Sequence, residues 1–219
     1  RMVYRRLSQE VRVAPLKNDG ETIASGETAL MLSGPTAALL TGERTALNFA
    51  QRMSGIATAA RSAAALVAGT SIRILDTRKT APGLRLLDKY AVAAGGGTNH
   101  RMGLFDMVMI KDNHIRAAGG IAETVRRVRA AHGSRLKVEV EVTDAAEARE
   151  AAEAGADIIM LDNMDREHMS EAIGIIAGRA KIEISGNMDE ERVKEIADLA
   201  IDFISIGALT HSVRAFDLS

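Results

Sequence analysis

Residues 137–163 read KVEVEVTDAAEAREAAEAGADIIMLDN, and the fold turns on how this stretch is parsed. A short β-branched run, 137–142, gives way to a polar, alanine-rich segment, 144–154, and then to a second apolar run, 157–161. Asp144 is placed to cap the helix and Gly155 to stop it. Strand, helix and strand in so few residues imply parallel strands joined by a right-handed crossover. Each strand ends on polar residues, Glu141 in the first case and Asp162-Asn163 in the second.

The same rhythm extends both ways. Strands are expected at 72–75, 107–110, 137–142, 157–161, 181–184 and 203–206, and helices at 84–94, 118–131, 144–154, 166–177 and 190–199. Asp189 reads as a further cap and Gly178 as a further stop. Six alternating strands fit either a βα barrel or an open doubly wound sheet. The strand exits separate the two. They carry Thr77-Arg78-Lys79, Lys111-Asp112-Asn113-His114, Glu141, Asp162-Asn163, Ser185-Gly186 and Gly207. In a barrel all six converge on one rim, whereas in an open sheet only those near the switch point do. Polar or glycine residues at every exit favour an α/β barrel.

Residues 1–34 read as part of a small α/β unit: a helical face at Met2, Val3 and Leu7, a strand at Val11, Val13 and Leu16, a tight turn at Asn18-Asp19-Gly20 and a second strand at 27–32. Two or three strands cannot close a core alone, so this piece needs a neighbour. From Pro35 to Val67 the spacing predicts a helix, with Gly42 and Ser54-Gly55 as places for a kink or break. Its alanine-rich face, 57–65, permits close helix packing.

Bulk composition narrows the function. With 219 residues the chain can bury roughly 70% of its unfolded surface. Lys+Arg 28 against Asp+Glu 29 leaves a formal charge of -1, so no global field recruits DNA or an anionic membrane. Aromatic residues at 3% and no Trp argue against a base-stacking platform. The absence of Cys excludes disulfides and thiolate metal sites and suits a reducing cytoplasm. No apolar run approaches the ~20 residues of a membrane span.

The rim charges are segregated. The first two exits and the segment after Gly95-Gly96-Gly97 supply Arg78, Lys79, His100, Arg101, Lys111 and His114, a concentration suited to a polyanion. The next two supply Glu141 and Asp162, able to hold a divalent ion or sugar hydroxyls, or to partner the nearby cations. The last two, Ser185-Gly186 and Gly207-Ala208, suit a backbone phosphate cradle. The triple glycine is not in a dinucleotide-binding frame, and no zinc spacing or nucleophile elbow occurs. His132 and His168 fall on polar helix faces and read as solvent-facing. His211, like His100 and His114, lies at the rim.

The motifs TGERTALNFAQRMSGIAT (41–58), LDTRKTAPGLR (75–85), KYAVAAGGGTNHRMGLFD (89–106), IKDNHI (110–115), VEVEV (138–142), IMLDN (159–163) and GALTHS (207–212) resemble the quinolinate phosphoribosyltransferase (nicotinate-nucleotide pyrophosphorylase) family. The resemblance implies transfer of phosphoribose from phosphoribosyl pyrophosphate to quinolinate. The products are nicotinate mononucleotide, carbon dioxide and pyrophosphate, made with Mg2+ as a step of NAD biosynthesis. It implies an open six-stranded barrel at 47–207 with an incomplete N-terminal α/β sandwich domain at 1–46, against which the tail 208–219 packs. It also implies further N-terminal sequence ahead of Arg1, and a cytoplasmic homodimer or larger assembly.

Residue by residue, the resemblance implies that Arg44 reaches into a partner's site. Arg78, His100, Arg101 and Lys111 join it in clamping the substrate carboxylates, and Lys79 and Lys111 contact the phosphoribosyl donor. Glu141 and Asp162 hold ribose hydroxyls and metal, and Ser185, Gly186, Gly207 and His211 cradle the 5-phosphate. Lys79, Lys111, Glu141 and Asp162 are the implied catalytic set. Asn187 stands where the family often has a second glycine, and Ala93 where it is often basic. Two alternatives remain open at this point: a molybdenum-transport-associated relative with a different substrate, and an inactive phosphate-binding barrel.

Overall fold

The computed structural model describes residues 1–219. The chain enters through a short helix, α1 (Met2–Leu7), an antiparallel ribbon of β1 (Arg12–Pro15) and β2 (Leu30–Ser33), and the long helix α2 (Thr36–Leu66). Strands and helices then alternate: β3 (Arg73–Leu75), α3 (Arg85–Ala94), β4 (Val108–Ile110), α4 (Asp112–Ala118), α5 (Ile121–His132), β5 (Val138–Val142), α6 (Ala145–Glu153), β6 (Ile158–Asp162), α7 (Arg166–Ile176), β7 (Lys181–Ser185), α8 (Glu190–Ile196), β8 (Phe203–Ser205) and α9 (Ala208–His211).

The six later strands form one parallel sheet in the order β3-β8-β7-β6-β5-β4. From β4 to β8 every crossover moves one strand in the same direction. With right-handed crossovers this puts all the helices on one face and leaves the other face as the interior of a barrel. There is no reversal of order, hence no switch point. β3 and β4 do not pair, so the barrel is open along one seam. A single bridge, Leu75 to Thr98, fastens the chain beside it.

Side chains alternate across each strand, and the two faces differ in chemistry. Ile74, Val138, Val140, Val142, Ile159, Leu161, Ile182, Ile184 and Ile204 belong to a cluster of 33 buried apolar residues between sheet and helices. Burying each Val or Ile contributes roughly 1.5–3 kcal/mol. The opposite face carries Glu139, Glu141, Met160, Asp162, Glu183, Ser185 and Ser205. The core sits outside the barrel wall, and the polar chemistry inside it.

Local sequence explains the helix limits. Asp144, Asp165 and Asp189 accept the backbone N–H groups of Glu147, His168 and Arg192, N-capping α6, α7 and α8. Three expectations need correcting. Helix α2 runs unbroken through Gly42 and Gly55, because both glycines serve packing. A Cβ on Gly42 would strike the Tyr4 ring, and one on Gly55 would lie 2.1 Å from the Arg214 carbonyl oxygen. The helix expected at 118–131 is α5, starting at Ile121, and it is preceded by a short helix not expected, α4, across Gly119 and Gly120, both at positive φ. The second ribbon strand begins at Leu30 rather than 27. Asn18 to Gly20 does form a turn, closed by Glu21 N–H to Asn18 O at 3.1 Å, but within a long connection rather than a tight hairpin.

The tail packs on α2: Phe216 N–H donates to Gln51 O at 2.9 Å, and Gln51 Nε2 donates to Leu218 O at 2.7 Å. No helix is long and apolar enough to cross a membrane.

Candidate active site at the barrel mouth

The mouth is assembled from strand ends in order. Lys111 follows β4 and forms an ion pair with Glu141 on the inner face of β5. Its backbone N–H donates to His114 Nδ1 at 2.9 Å, so His114 caps α4 and is exposed. On β6, Asp162 lies in register with Ser185 of β7 and accepts Asn163 Nδ2 at 2.8 Å. Asn163 and Asn187 take φ 54 and 46, left-handed conformations that Asn adopts more readily than most residues.

Between them Gly186 takes φ +99, and a Cβ there would lie 2.3 Å from Asn163 Oδ1, so only glycine fits the turn. After β8, an added Cβ on Gly207 would meet the His211 ring at 3.1 Å and Lys79 Cδ at 3.2 Å, which places Lys79, Gly207 and His211 together. Thr210 Oγ1 donates to Lys79 O at 2.9 Å and ties α9 to the first loop.

The cationic side of the mouth is built by two loops stapled to each other. Arg85 Nε donates to Thr80 Oγ1 at 3.2 Å, Nη1 to Met102 O at 3.2 Å and Nη2 to Arg78 O at 3.3 Å. Arg101 is buried, and its Nη1 donates to Met107 O at 3.2 Å. Burial, and then the positive charge of Arg78, lower the Arg101 pKa, so two guanidinium groups stand within each other's field. Like charges held together in this way mark a place for an anion.

Beneath the loops lies a buried ionic layer. Asp76 forms an ion pair with Lys89 and accepts the His100 N–H at 2.8 Å, while Lys89 Nζ donates to His100 O at 2.9 Å. Burial raises the Asp76 pKa, and the Lys89 bond opposes that rise. Asp88 accepts both Arg52 Nε at 2.9 Å and Arg52 Nη2 at 2.8 Å, and also the Ala81 N–H at 3.1 Å. Helices α2 and α3 are thereby joined to the first loop.

Inside the barrel, His100 Nε2 stands 3.2 Å from Glu139 Oε2 and 3.4 Å from Glu183 Oε2. Both carboxylates are fully buried. Burial alone lowers the His100 pKa, but the two facing carboxylates outweigh it and raise it. Glu139 is pushed up to about 7 by burial and then by the Glu183 charge.

Most residues singled out from sequence therefore meet at one end of the barrel: Arg78, Lys79, Arg101, Lys111, Glu141, Asp162, Ser185, Gly186, Gly207 and His211. His100 lies lower than expected, its side chain 6% exposed and turned to the interior carboxylates. Arg44 stands apart, exposed on α2. His132 and His168 are exposed, as read.

Sequence reading passed over Asp76, Asp88, Lys89, Arg52, Arg85, Glu139 and Glu183. For the last two a signal was present: period-two alternation in VEVEV and KIEIS puts Glu139 on the face of Glu141, and Glu183 on that of Ser185.

Comparison with known proteins agrees with this architecture. Residues 1–54 match the model of the quinolinate phosphoribosyl transferase N-terminal domain, and residues 56–219 that of its C-terminal domain. A probable nicotinate-nucleotide pyrophosphorylase (carboxylating) of Bacillus subtilis is 46% identical over 213 residues, 97% of this chain and 74% of that protein. The chloroplastic nicotinate-nucleotide pyrophosphorylase of Arabidopsis thaliana is 44% identical, over 100% of this chain and 67% of its own length.

Among solved structures, NadC from Streptococcus pyogenes superposes with a TM-score of 0.94 at 45% identity, covering 100% of this chain and 79% of that one. The nicotinate-nucleotide pyrophosphorylase from Francisella tularensis gives 0.95 at 44% identity, covering 99% and 77%. Fold and mouth define a barrel enzyme built to hold a multiply anionic small molecule. The chain belongs to the quinolinate phosphoribosyltransferase family.

Proposed function

We propose that the chain is a nicotinate-nucleotide pyrophosphorylase (carboxylating), transferring phosphoribose from phosphoribosyl pyrophosphate to quinolinate with loss of carbon dioxide. One observation carries this beyond family membership. The paired guanidinium groups of Arg78 and Arg101, the Lys111–Glu141 pair with Asp162 beside it, and the glycine turns at Gly186 and Gly207 occupy successive sectors of a single rim. A dicarboxylate, a ribose and a phosphate need those three chemistries side by side.

The residues divide the work. Planar guanidinium groups grip carboxylates bidentately and stay charged throughout, so Arg78 and Arg101 orient the pyridine dicarboxylate. Lys79 and Lys111 offset the charge that builds on departing pyrophosphate. As the anomeric carbon loses that group, positive charge develops on the ribose, and Glu141 and Asp162 stabilise it as a field fixed in advance. Backbone N–H groups at Ser185-Gly186 and Gly207, with His211, hold the 5-phosphate. The positive charge of the quaternised ring nitrogen then stabilises the electron pair left on the adjacent carbon when its carboxylate leaves as carbon dioxide, and that carbon takes a proton from water to complete the product.

Glu141 and Asp162 also fit Mg2+, which binds through one or two carboxylates, keeps several waters and shares substrate phosphates. When bound, it would neutralise charge on the pyrophosphate. The lone Arg44 and the exposed ribbon residues Leu30 and Met31, 45% and 60% accessible, support a second copy packed at the N-terminal unit, with Arg44 completing that copy's site.

Incubating the chain with quinolinate and phosphoribosyl pyrophosphate should release pyrophosphate and carbon dioxide in equal amounts, and nicotinate in place of quinolinate should not react. Consumption of nicotinate alone would refute the assignment.

A further inference from the structure

The interior of the barrel holds polar atoms for which the mouth chemistry has no use. Both oxygens of Glu139, both of Glu183, His100 Nε2 and Ser205 Oγ are buried without a well-aligned hydrogen-bond partner. One ligand atom from each of His100, Glu139 and Glu183 lies within 4.8 Å of the others, a spacing that a metal ion could bridge.

The other side of the imidazole ring decides against metal. His100 Nδ1 accepts the backbone N–H of Arg101 at 2.7 Å. A nitrogen that accepts carries no proton, so in the neutral ring the proton is on Nε2, and a protonated nitrogen cannot ligate a metal. The ring therefore presents an N–H to the two carboxylates. The facing carboxylates favour a second ring proton, but an imidazolium would set an N–H at Nδ1 against the Arg101 N–H 2.7 Å away, so that contact keeps the ring neutral. Asp76 touches the same residue from outside the barrel wall, but through the His100 backbone N–H and not the ring.

We propose that Glu139 and Glu183 are positioning residues: together they hold His100 as its Nε2–H tautomer, and the free Nδ1 in turn fixes the Arg101 backbone and the stance of its guanidinium at the mouth. The inference rests on Arg101 being a carboxylate clamp, as in the proposed function, but the tautomer is independent of any activity. Glu139 and Glu183 stand on β5 and β7, with β6 between them, so the barrel wall sets the ring's direction while Arg101 lies on a loop with no strand ladder of its own. Asp76 and Lys89 hold that loop from one side, and the carboxylate pair holds it from the other.

Long-range 15N–1H spectra of the labelled chain at pH 7 test this directly. The expected His100 pattern is an unprotonated Nδ1 and a protonated Nε2, unchanged by added Zn2+. An Nδ1–H tautomer, an imidazolium, or a signal lost to stoichiometric metal binding would overturn the proposal. In the Glu139→Gln, Glu183→Gln double variant the tautomer preference should collapse. Its Kd for quinolinate should rise about tenfold or more, with KM for phosphoribosyl pyrophosphate unmoved. His100→Asn, whose side-chain oxygen replaces Nδ1 as acceptor, should retain more quinolinate affinity than His100→Ala. Equal loss in the two would count against the role of Nδ1. Failure of the wild-type chain to turn over quinolinate would remove the reading of the mouth and still leave the His100 spectrum to decide the tautomer.

Discussion

Glu139 and Glu141 leave the same face of the same strand two residues apart, yet one is sealed inside the barrel and the other meets Lys111 at its mouth. β7 repeats the contrast with Glu183 below and Ser185 above, and β8 with Ser205 below and Gly207 above. A strand advances about 3.3 Å per residue, so roughly 7 Å separates a layer that water reaches from one that it does not. That step changes what a carboxylate is for. In the upper layer its charge is available to a substrate. In the lower layer, burial raises the Glu139 pKa, and the group acts on its neighbours by holding them.

The contrast is breakable. Replacing both upper carboxylates, Glu141→Ala with Asp162→Ala, should lower kcat about 10^4-fold, since each preorganised charge aimed at a transition state is worth about 10^2–10^3. Urea midpoints should shift by less than the equivalent of about 0.5 kcal/mol. A comparable loss of stability would make the upper layer structural.

Asp76→Ala should do the reverse. It strands the fully buried Lys89 ammonium without its counter-charge, a change that costs about 3–5 kcal/mol of stability and is measurable by denaturant unfolding.

Smallest of all, Arg126→Ala removes one of the two exposed arginines paired with Glu123 on α5 and should leave the Tm where it was.

Much of the architecture could be read directly because each strand announces itself twice, by its β-branched run and by the polar or glycine residues at its exit. All six barrel strands fall where periodicity puts them, and Asp144 and Asp189 cap the helices expected of them. The misses have physical causes. Gly42 and Gly55 look like helix breakers, but against Tyr4 and the Arg214 backbone they are clearance for close packing, which no local pattern displays. Helix α4 escapes notice because DNHIRAA carries too few apolar residues to show a face.

At the site, Arg78, Lys111, Glu141 and Asp162 are recognisable as strand-exit residues. Asp76 and Lys89 are not: a helix lysine gives no local sign that it will be buried against a carboxylate thirteen positions earlier. Glu139 and Glu183 are visible in the alternation but easily missed, because buried acids inside a sheet run against the usual expectation that strand interiors are apolar.

The unpaired edges of β3 and β4 carry a consequence for how tolerant this scaffold can be. In a closed barrel every segment is laced to two neighbours by its own main chain, and a lost side chain is absorbed by that lacing. Here the chain that delivers Arg101 crosses the breach between the two edges with a single bridge, at Thr98, and owes its shape to side chains reaching it from four directions: Asp76, Lys89, Arg85 and His100. Changes far from the mouth should therefore be felt by whatever the mouth is holding, and a search for altered selectivity would do well to begin along that gap.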